Sequence, residues 1–403
     1  MLALKKHART ALLYFAIAAL LGCVLRFFRV FDIPITYKYV VHAHSHIALL
    51  GWVYLGLTTL LYKLYLSGAG VDKKYNKIFW FTQLTLVGML LTFPFQGYAL
   101  FSIIFSTLFL FASYWFAWFF YKHLPSRFQK APSVKCAKAA LCYLLVSSLG
   151  PWALGGIMTT LGSESVWYRL AIYFYLHFLY NGWMIMALAA VFLFILEKHR
   201  LDMGTKTFDR FFWTLNLGIV LSFFLSTLFA KPPVPCYILG GSGAALQLAA
   251  FYILVKSTRS LLGADTPIFS NFHKKLLKLV AVLWGIKMAM QLLSAIPYFA
   301  QLAVTYLDIT IGYLHLTFLG VVSIALWVFL DFFGLLPIKK NFFYGYVAGF
   351  ALTEVLIFYK GVASWFSLGM FSAYYPSLAL VSLLILLSLL GLLAGGKKND
   401  ADT

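Results

Sequence analysis

The sequence predicts an all-α, polytopic integral membrane bundle of about twelve transmembrane helices, with both termini cytoplasmic. Three observations carry that expectation. Of the 403 residues, 62% are hydrophobic and only 11% charged, with a mean hydropathy of +0.87. A water-soluble chain carries roughly 25% charged residues, so too few remain here to coat a soluble surface. The apolar residues come in runs of about 20 or more, enough to cross a hydrocarbon core ~30 Å thick at ~1.5 Å per residue. The basic residues, finally, fall mostly in alternate gaps between those runs.

Twelve spans are expected near 11–30, 37–63, 77–97, 99–121, 137–160, 167–196, 210–229, 235–256, 276–298, 303–330, 341–360 and 374–394. Residues 1–403 then form a single transmembrane domain with no soluble part, no long linker and no evident internal repeat. Of the 32 Lys and Arg, Arg26, Arg29, Lys38, Arg169, Lys231 and Lys360 fall in loops opposite the termini, and Lys287 lies inside a span. All the others lie on the terminal side, from Lys5 to Lys397 and Lys398. By the positive-inside rule that side is cytoplasmic, and the expected location is a bacterial inner membrane. The net charge of +20 is dispersed over short loop clusters, which excludes a nucleic-acid partner and leaves the lipid bilayer as the first one.

The basic start, with Lys5, Lys6 and Arg9, resembles a signal peptide, but its apolar run is too long and lacks a small-residue cleavage site, so it reads as a retained first helix. Cys23, Cys136, Cys142 and Cys236 are scattered without zinc or redox spacing and read as small buried apolar groups. Lys231–Pro232–Pro233–Val234–Pro235 makes a tight turn. Gly240, Gly241, Gly243 and Ala244 place small residues at helical spacing, as at a close helix–helix contact.

The chemistry centres on histidine. His42, His44 and His46 stand together at the start of the second span, His177 lies in the sixth and His315 in the tenth. On a helix His42 and His46 share a face while His44 points away. His7, His123, His199 and His273 sit beside lysines and arginines and read as solvated. His46, His177 and His315 lie about nine, ten and twelve residues into their spans, at depths of roughly 13–18 Å. Any one of them is explained by a hydrogen bond to a neighbouring helix. Three at one level suggest a haem or metal site, because neutral imidazole is a common ligand for iron and copper.

Haem propionates would need basic groups, and Arg26, Arg29 and Lys38 are available, although interfacial anchoring explains them equally well. Lys287 in the ninth span and Glu354 in the eleventh are intramembrane charges. They either pair with each other or serve a proton or propionate role. Tyr313 and Asn181 are placed to orient rings or carry protons, with packing and interhelical hydrogen bonds as the alternative.

On these residues the chain resembles the haem–copper oxidase superfamily, the catalytic subunit I group that includes nitric oxide reductases, and the NnrS family of haem- and copper-containing membrane proteins. The topology matches throughout, with histidines on spans two, six and ten. His42–Ala43–His44 is similar to the His-Ala-His of NnrS, and Val40–Val41–His42 and His46–Ile47–Ala48–Leu49–Leu50 to the second helix of the reductases. The resemblance implies a b-type haem with His46 or His42 and His315 as axial ligands, and copper near His177, with His44 a further candidate ligand. It also implies a diatomic ligand such as NO or O2, and a quinol or separate cytochrome as electron donor. The chain departs from the family in having no histidine between Arg210 and Ala230 and only one in Tyr313–Leu314–His315. A three-histidine copper centre and oxygen-reducing proton pumping are therefore not implied, and whether the protein is an enzyme stays open. The competing reading is a proton-coupled secondary transporter that uses the intramembrane His, Lys and Glu.

Overall fold

The computed structural model describes residues 4–259 and 268–394, so Lys397 and Lys398 of the charge pattern lie outside the described residues. Among these residues there is no strand, and twelve helices are long and apolar enough to cross a membrane. They are span 1 (Leu4–Phe27), span 2 (Tyr37–Leu66), span 3 (Asp72–Gln96), span 4 (Leu100–His123), span 5 (Pro132–Thr160) and span 6 (Val166–Lys198). Span 7 (Thr205–Ala230), span 8 (Val234–Arg259), span 9 (Asn271–Leu293), span 10 (Leu307–Phe332), span 11 (Lys340–Trp365) and span 12 (Tyr374–Ala394) follow.

The ends depart from expectation where local chemistry extends or breaks a helix. Span 1 is helical from Leu4 onward because Lys5, Lys6 and Arg9 are good helix formers. His7 is carried into the helix with them. It is 6% exposed and stacks on Phe79 with ring centroids 3.6 Å apart, so the solvated reading of His7 is corrected. Span 9 stops at Leu293, and Pro297 opens a separate helix, Pro297–Thr305, as suits a residue whose missing N–H is harmless in a first turn. Cys142 is exposed rather than buried.

The chain divides into two compact units, Met1–Pro125 with Leu326–Thr403, and Ser126–Ala325. In the first unit, span 1 packs on spans 2 and 12, span 3 on span 4, and span 11 on span 12. Its centre is aromatic. Phe15 stacks on Trp52 at 4.9 Å, and Trp52 meets Trp327 at 5.5 Å. In the second unit span 5 packs on span 6, span 7 on span 8, span 8 on span 9, and span 9 on span 10. The Ser133 backbone N–H and hydroxyl donate to the Glu197 carboxylate at 2.8 and 2.6 Å, tying the start of span 5 to the end of span 6.

Spans 2, 6 and 10 are the most buried, at 89%, 89% and 72%, against 28–50% for the other nine. Each carries a histidine followed five residues later by glycine: His46 and Gly51, His177 and Gly182, His315 and Gly320. In each, the helix widens to π geometry at the residue after the histidine, over Ile47–Tyr54, Phe178–Met184 and Leu316–Ser323. Such widenings recur at functional sites. Two of the glycines receive a tyrosine from the preceding span. A Cβ on Gly51 would lie 2.7 Å from Tyr14 Cβ, and one on Gly182 would lie 2.6 Å from Tyr143 Cβ. A short local pattern, histidine then a glycine inside a π-widening, thus recurs every fourth span.

The glycines of span 8 do make a close helix contact. A Cβ on Gly243 would overlap the Ser222 backbone nitrogen and stand 2.6 Å from the Leu221 carbonyl carbon, and one on Gly240 would stand 2.6 Å from Leu225 Cδ2. Backbone cannot yield as a side chain tip can. Gly243→Val is expected to lower stability by about 3 kcal/mol or more through overpacking, read as a fall in the melting temperature of the purified protein in detergent. Gly156→Ala, where a Cβ meets nothing within 4 Å, is expected to leave that temperature unchanged or slightly raised.

Candidate functional site

In the first unit, span 2 arranges its three histidines as their spacing predicts. His44 faces span 1, with Nδ1 2.8 Å from the Ala18 carbonyl oxygen. Gly22 leaves room for the ring, since a Cβ there would stand 3.1 Å from His44 Cε1. His46 Nδ1 lies 2.8 Å from the His42 carbonyl oxygen, one turn back on its own helix. A carbonyl only accepts, so Nδ1 carries the proton in both rings, and in a neutral imidazole the lone pair then sits on Nε2.

His46 Nε2 is 3.3 Å from the Tyr98 hydroxyl, the donor of that pair. The His42 ring meets Tyr98 edge-on at 4.6 Å, and His46 lies against Phe93 at 4.5 Å. Tyr98 belongs to the short turn between spans 3 and 4, where Gly97 takes φ +59°, a conformation open to glycine at no steric cost. A Cβ on Gly97 would also strike the Tyr39 ring. Phe93 and Tyr98 were not singled out from the sequence, because nothing in their spacing connects them to a histidine some 50 residues away.

The basic residues beside this cluster separate by role. Arg29 and Lys38 are exposed, as interfacial anchors are. Arg26 interacts electrostatically with the Glu354 carboxylate of span 11 and with His44. Glu354 is 7% exposed and no hydrogen bond reaches its oxygens among the described residues, so Arg26 is the charge that offsets it.

The second unit holds a separate polar cluster around Lys287, which is 1% exposed. Its Nζ donates to Asn181 Oδ1 at 2.5 Å and to Gln291 Oε1 at 2.6 Å. It also lies 5.7 Å from the Tyr180 ring and 5.8 Å from the Tyr313 ring. The Tyr313 hydroxyl donates to the same Gln291 oxygen at 3.4 Å. Asn181 Nδ2 and Ser226 Oγ each stand 3.3 Å from His177 Nδ1, while His177 Nε2 is 2.8 Å from the Ile219 carbonyl oxygen. Nε2 therefore carries the His177 proton and Nδ1 accepts. Both nitrogens are engaged, so the ring links the Ile219 carbonyl and Ser226 hydroxyl of span 7 to the Asn181 amide.

No carboxylate lies within ion-pair distance of Lys287 among the described residues. Gln291, Tyr180 and Ser226 escaped the sequence reading. The one signal was the four-residue step from Lys287 to Gln291, which stacks them on one helix face. His315, at the end of the regular part of span 10, is half-buried.

A cavity of about 520 Å³ opens beside this cluster, with Arg169, His177, Asn181, Ser226, Gln291 and Tyr313 in a wall that is otherwise mostly apolar. Among the described residues no three His, Cys, Asp or Glu side chains come together as a group able to hold a metal ion.

The fold and these clusters define a polytopic helical membrane protein with a buried polar centre in each unit. No protein-family model matches the chain, and a search of curated proteins finds no match.

An ammonium in this setting depends on its acceptors. Asn181→Leu is expected to destabilise the protein by roughly 2–4 kcal/mol, the cost of leaving a buried charge short of a partner. Asn181→Asp, which supplies a counter-charge of nearly the same shape, is expected to keep stability within about 1 kcal/mol of the parent. Thermal unfolding of both variants in one detergent checks the pair.

Proposed function

We propose that the chain is a haem-binding integral membrane protein, with both termini cytoplasmic, in which His46 is an axial ligand. The observation that carries this reading is the hydrogen bond from His46 Nδ1 to the His42 carbonyl. It fixes the tautomer and leaves the Nε2 lone pair directed away from the helix, the arrangement that second-shell bonds impose on ligating histidines. A bound b-type haem would supply an iron able to take NO or O2 or to pass electrons from a quinol or a separate cytochrome. Phe93 offers an apolar wall beside the ring of His46. The Tyr98 hydroxyl that donates to Nε2 would have to turn aside for iron to bind there, and Arg26 and Arg29 are the groups available to propionates. Copper stays outside the proposal, because the donor set it would need is not assembled among the described residues.

The test is the visible spectrum of protein purified from haem-supplemented cells. A Soret band is expected in the wild type, lost in His46→Ala and kept in His177→Ala. Wild-type protein that is folded and shows no Soret band overturns the reading. Orientation is checked separately: a fluorescent protein fused to the C-terminus is expected to fluoresce, and a periplasmic phosphatase fused there to be inactive.

A second reading, a proton-coupled secondary transporter, draws support from one observation, the buried Lys287, with no ion-paired carboxylate among the described residues, beside a cavity in the second unit. Intramembrane ionisable groups of this kind mark solute and proton pathways. It expects activity in proteoliposomes that survives removal of metals.

A further inference from the structure

The cavity of the second unit has a chemical polarity that neither proposal uses. Among the described residues its walls contain no Asp or Glu. Arg169 lies at one end and is exposed, three residues into span 6, whereas Asn181 lies twelve residues further along the same helix, roughly 18 Å deeper. Directly behind Asn181 and Gln291 stands Lys287. An ammonium has three N–H donors, and here two are taken, by Asn181 Oδ1 and Gln291 Oε1. One donor is left over, and no carboxylate among the described residues lies within ion-pair distance of the charge. The Tyr313 hydroxyl and the His177–Ser226 pair add further polar groups at that deep end. Between the two ends the lining is largely apolar, with Ile172, Leu176, Leu225 and Phe299 among it. At about 520 Å³ the cavity falls within the ~300–1,000 Å³ usual for small-molecule sites.

We propose that this cavity binds an amphipathic monocarboxylate, whose carboxylate takes the place of the missing counter-charge at the Asn181–Gln291–Lys287 end and whose hydrocarbon body lies along the apolar wall. Charge complementarity selects the anion, because an ammonium desolvated in a membrane is stabilised by a negative partner far more than by carbonyl dipoles alone. Apolar length selects the tail. Arg169 at the mouth draws the anion in. The inference stands apart from the haem proposal and names a ligand class for the transporter reading. It concerns binding only, so a failure of transport leaves it intact.

The experiment uses the full chain in nanodiscs of zwitterionic lipid, with radiolabelled laurate as probe and dodecanol as its uncharged counterpart. Saturable laurate binding is expected, with dodecanol at least ~10-fold weaker, and Lys287→Gln is expected to lose ~10-fold or more in affinity. Lys287→Arg is expected to retain part of the binding, and Arg169→Gln to weaken it by about 3-fold, as an exposed steering charge does. Should Lys287→Gln fail to fold, the laurate-to-dodecanol ratio and the Arg169→Gln variant carry the test. Nanodiscs containing phosphatidylglycerol separate the sources of negative charge. Laurate displaced only by free carboxylates supports the proposal, whereas a site filled by phosphatidylglycerol and closed to laurate overturns it. Equal affinity for laurate and dodecanol, or a Lys287→Gln variant that binds laurate like the wild type, also overturns it.

Discussion

Everything polar in this protein is arranged by the cost of leaving a donor, an acceptor or a charge unanswered where there is no water. Hydrocarbon offers no hydrogen bonds, so each intramembrane polar group must find its partner within the protein. His44 and His46 of span 2 meet this demand with backbone carbonyls, one from span 1 and one from their own helix. His177 meets it with a carbonyl on one nitrogen and an amide and hydroxyl on the other. Lys287 meets it only in part, with two amide oxygens and two aromatic faces but no opposite charge. Partial satisfaction of a buried cation is what turns a packed helix crossing into a candidate for chemistry.

The same constraint explains why the three most buried spans are the ones that widen to π geometry. Each histidine ends a stretch of regular α-helix and begins a π-helical one, and a glycine sits inside each widened stretch. Widening shifts the register of backbone groups, which is tolerable in a membrane only where the helix is surrounded by protein. The high burial of spans 2, 6 and 10 supplies that shelter. At Gly51 and Gly182 the absent side chain admits a tyrosine from the preceding span, so the neighbour packs close against the distorted segment.

Much of the membrane architecture was legible before any coordinates. Runs of apolar residues set all twelve crossings, because crossing length is dictated by bilayer thickness. The four-residue step between His42 and His46 put them on one face, and the small residues of span 8 announced a tight crossing, because helical periodicity is local. The start of span 1 and the break near Pro297 were less legible, since helix ends depend on whether charged stems and a proline find a place in the fold. The burial of His7 followed from the same shift of span 1 and could not be seen from its basic neighbours.

What the sequence alone determined is the class of molecule and the residues worth asking about. Composition fixes the solvent a chain can live in, and a histidine or lysine in an apolar run is conspicuous wherever it ends up. Tertiary structure decided which groups answer them. Lys287 and Glu354 looked like possible partners by charge, yet Lys287 is held by Asn181 and Gln291, and the cation whose charge acts on Glu354 is Arg26. Tyr98 reaches His46 across some 50 residues of chain. Partners of this kind come from remote helices brought together by packing, and packing is a property of shape in three dimensions that no local spacing encodes.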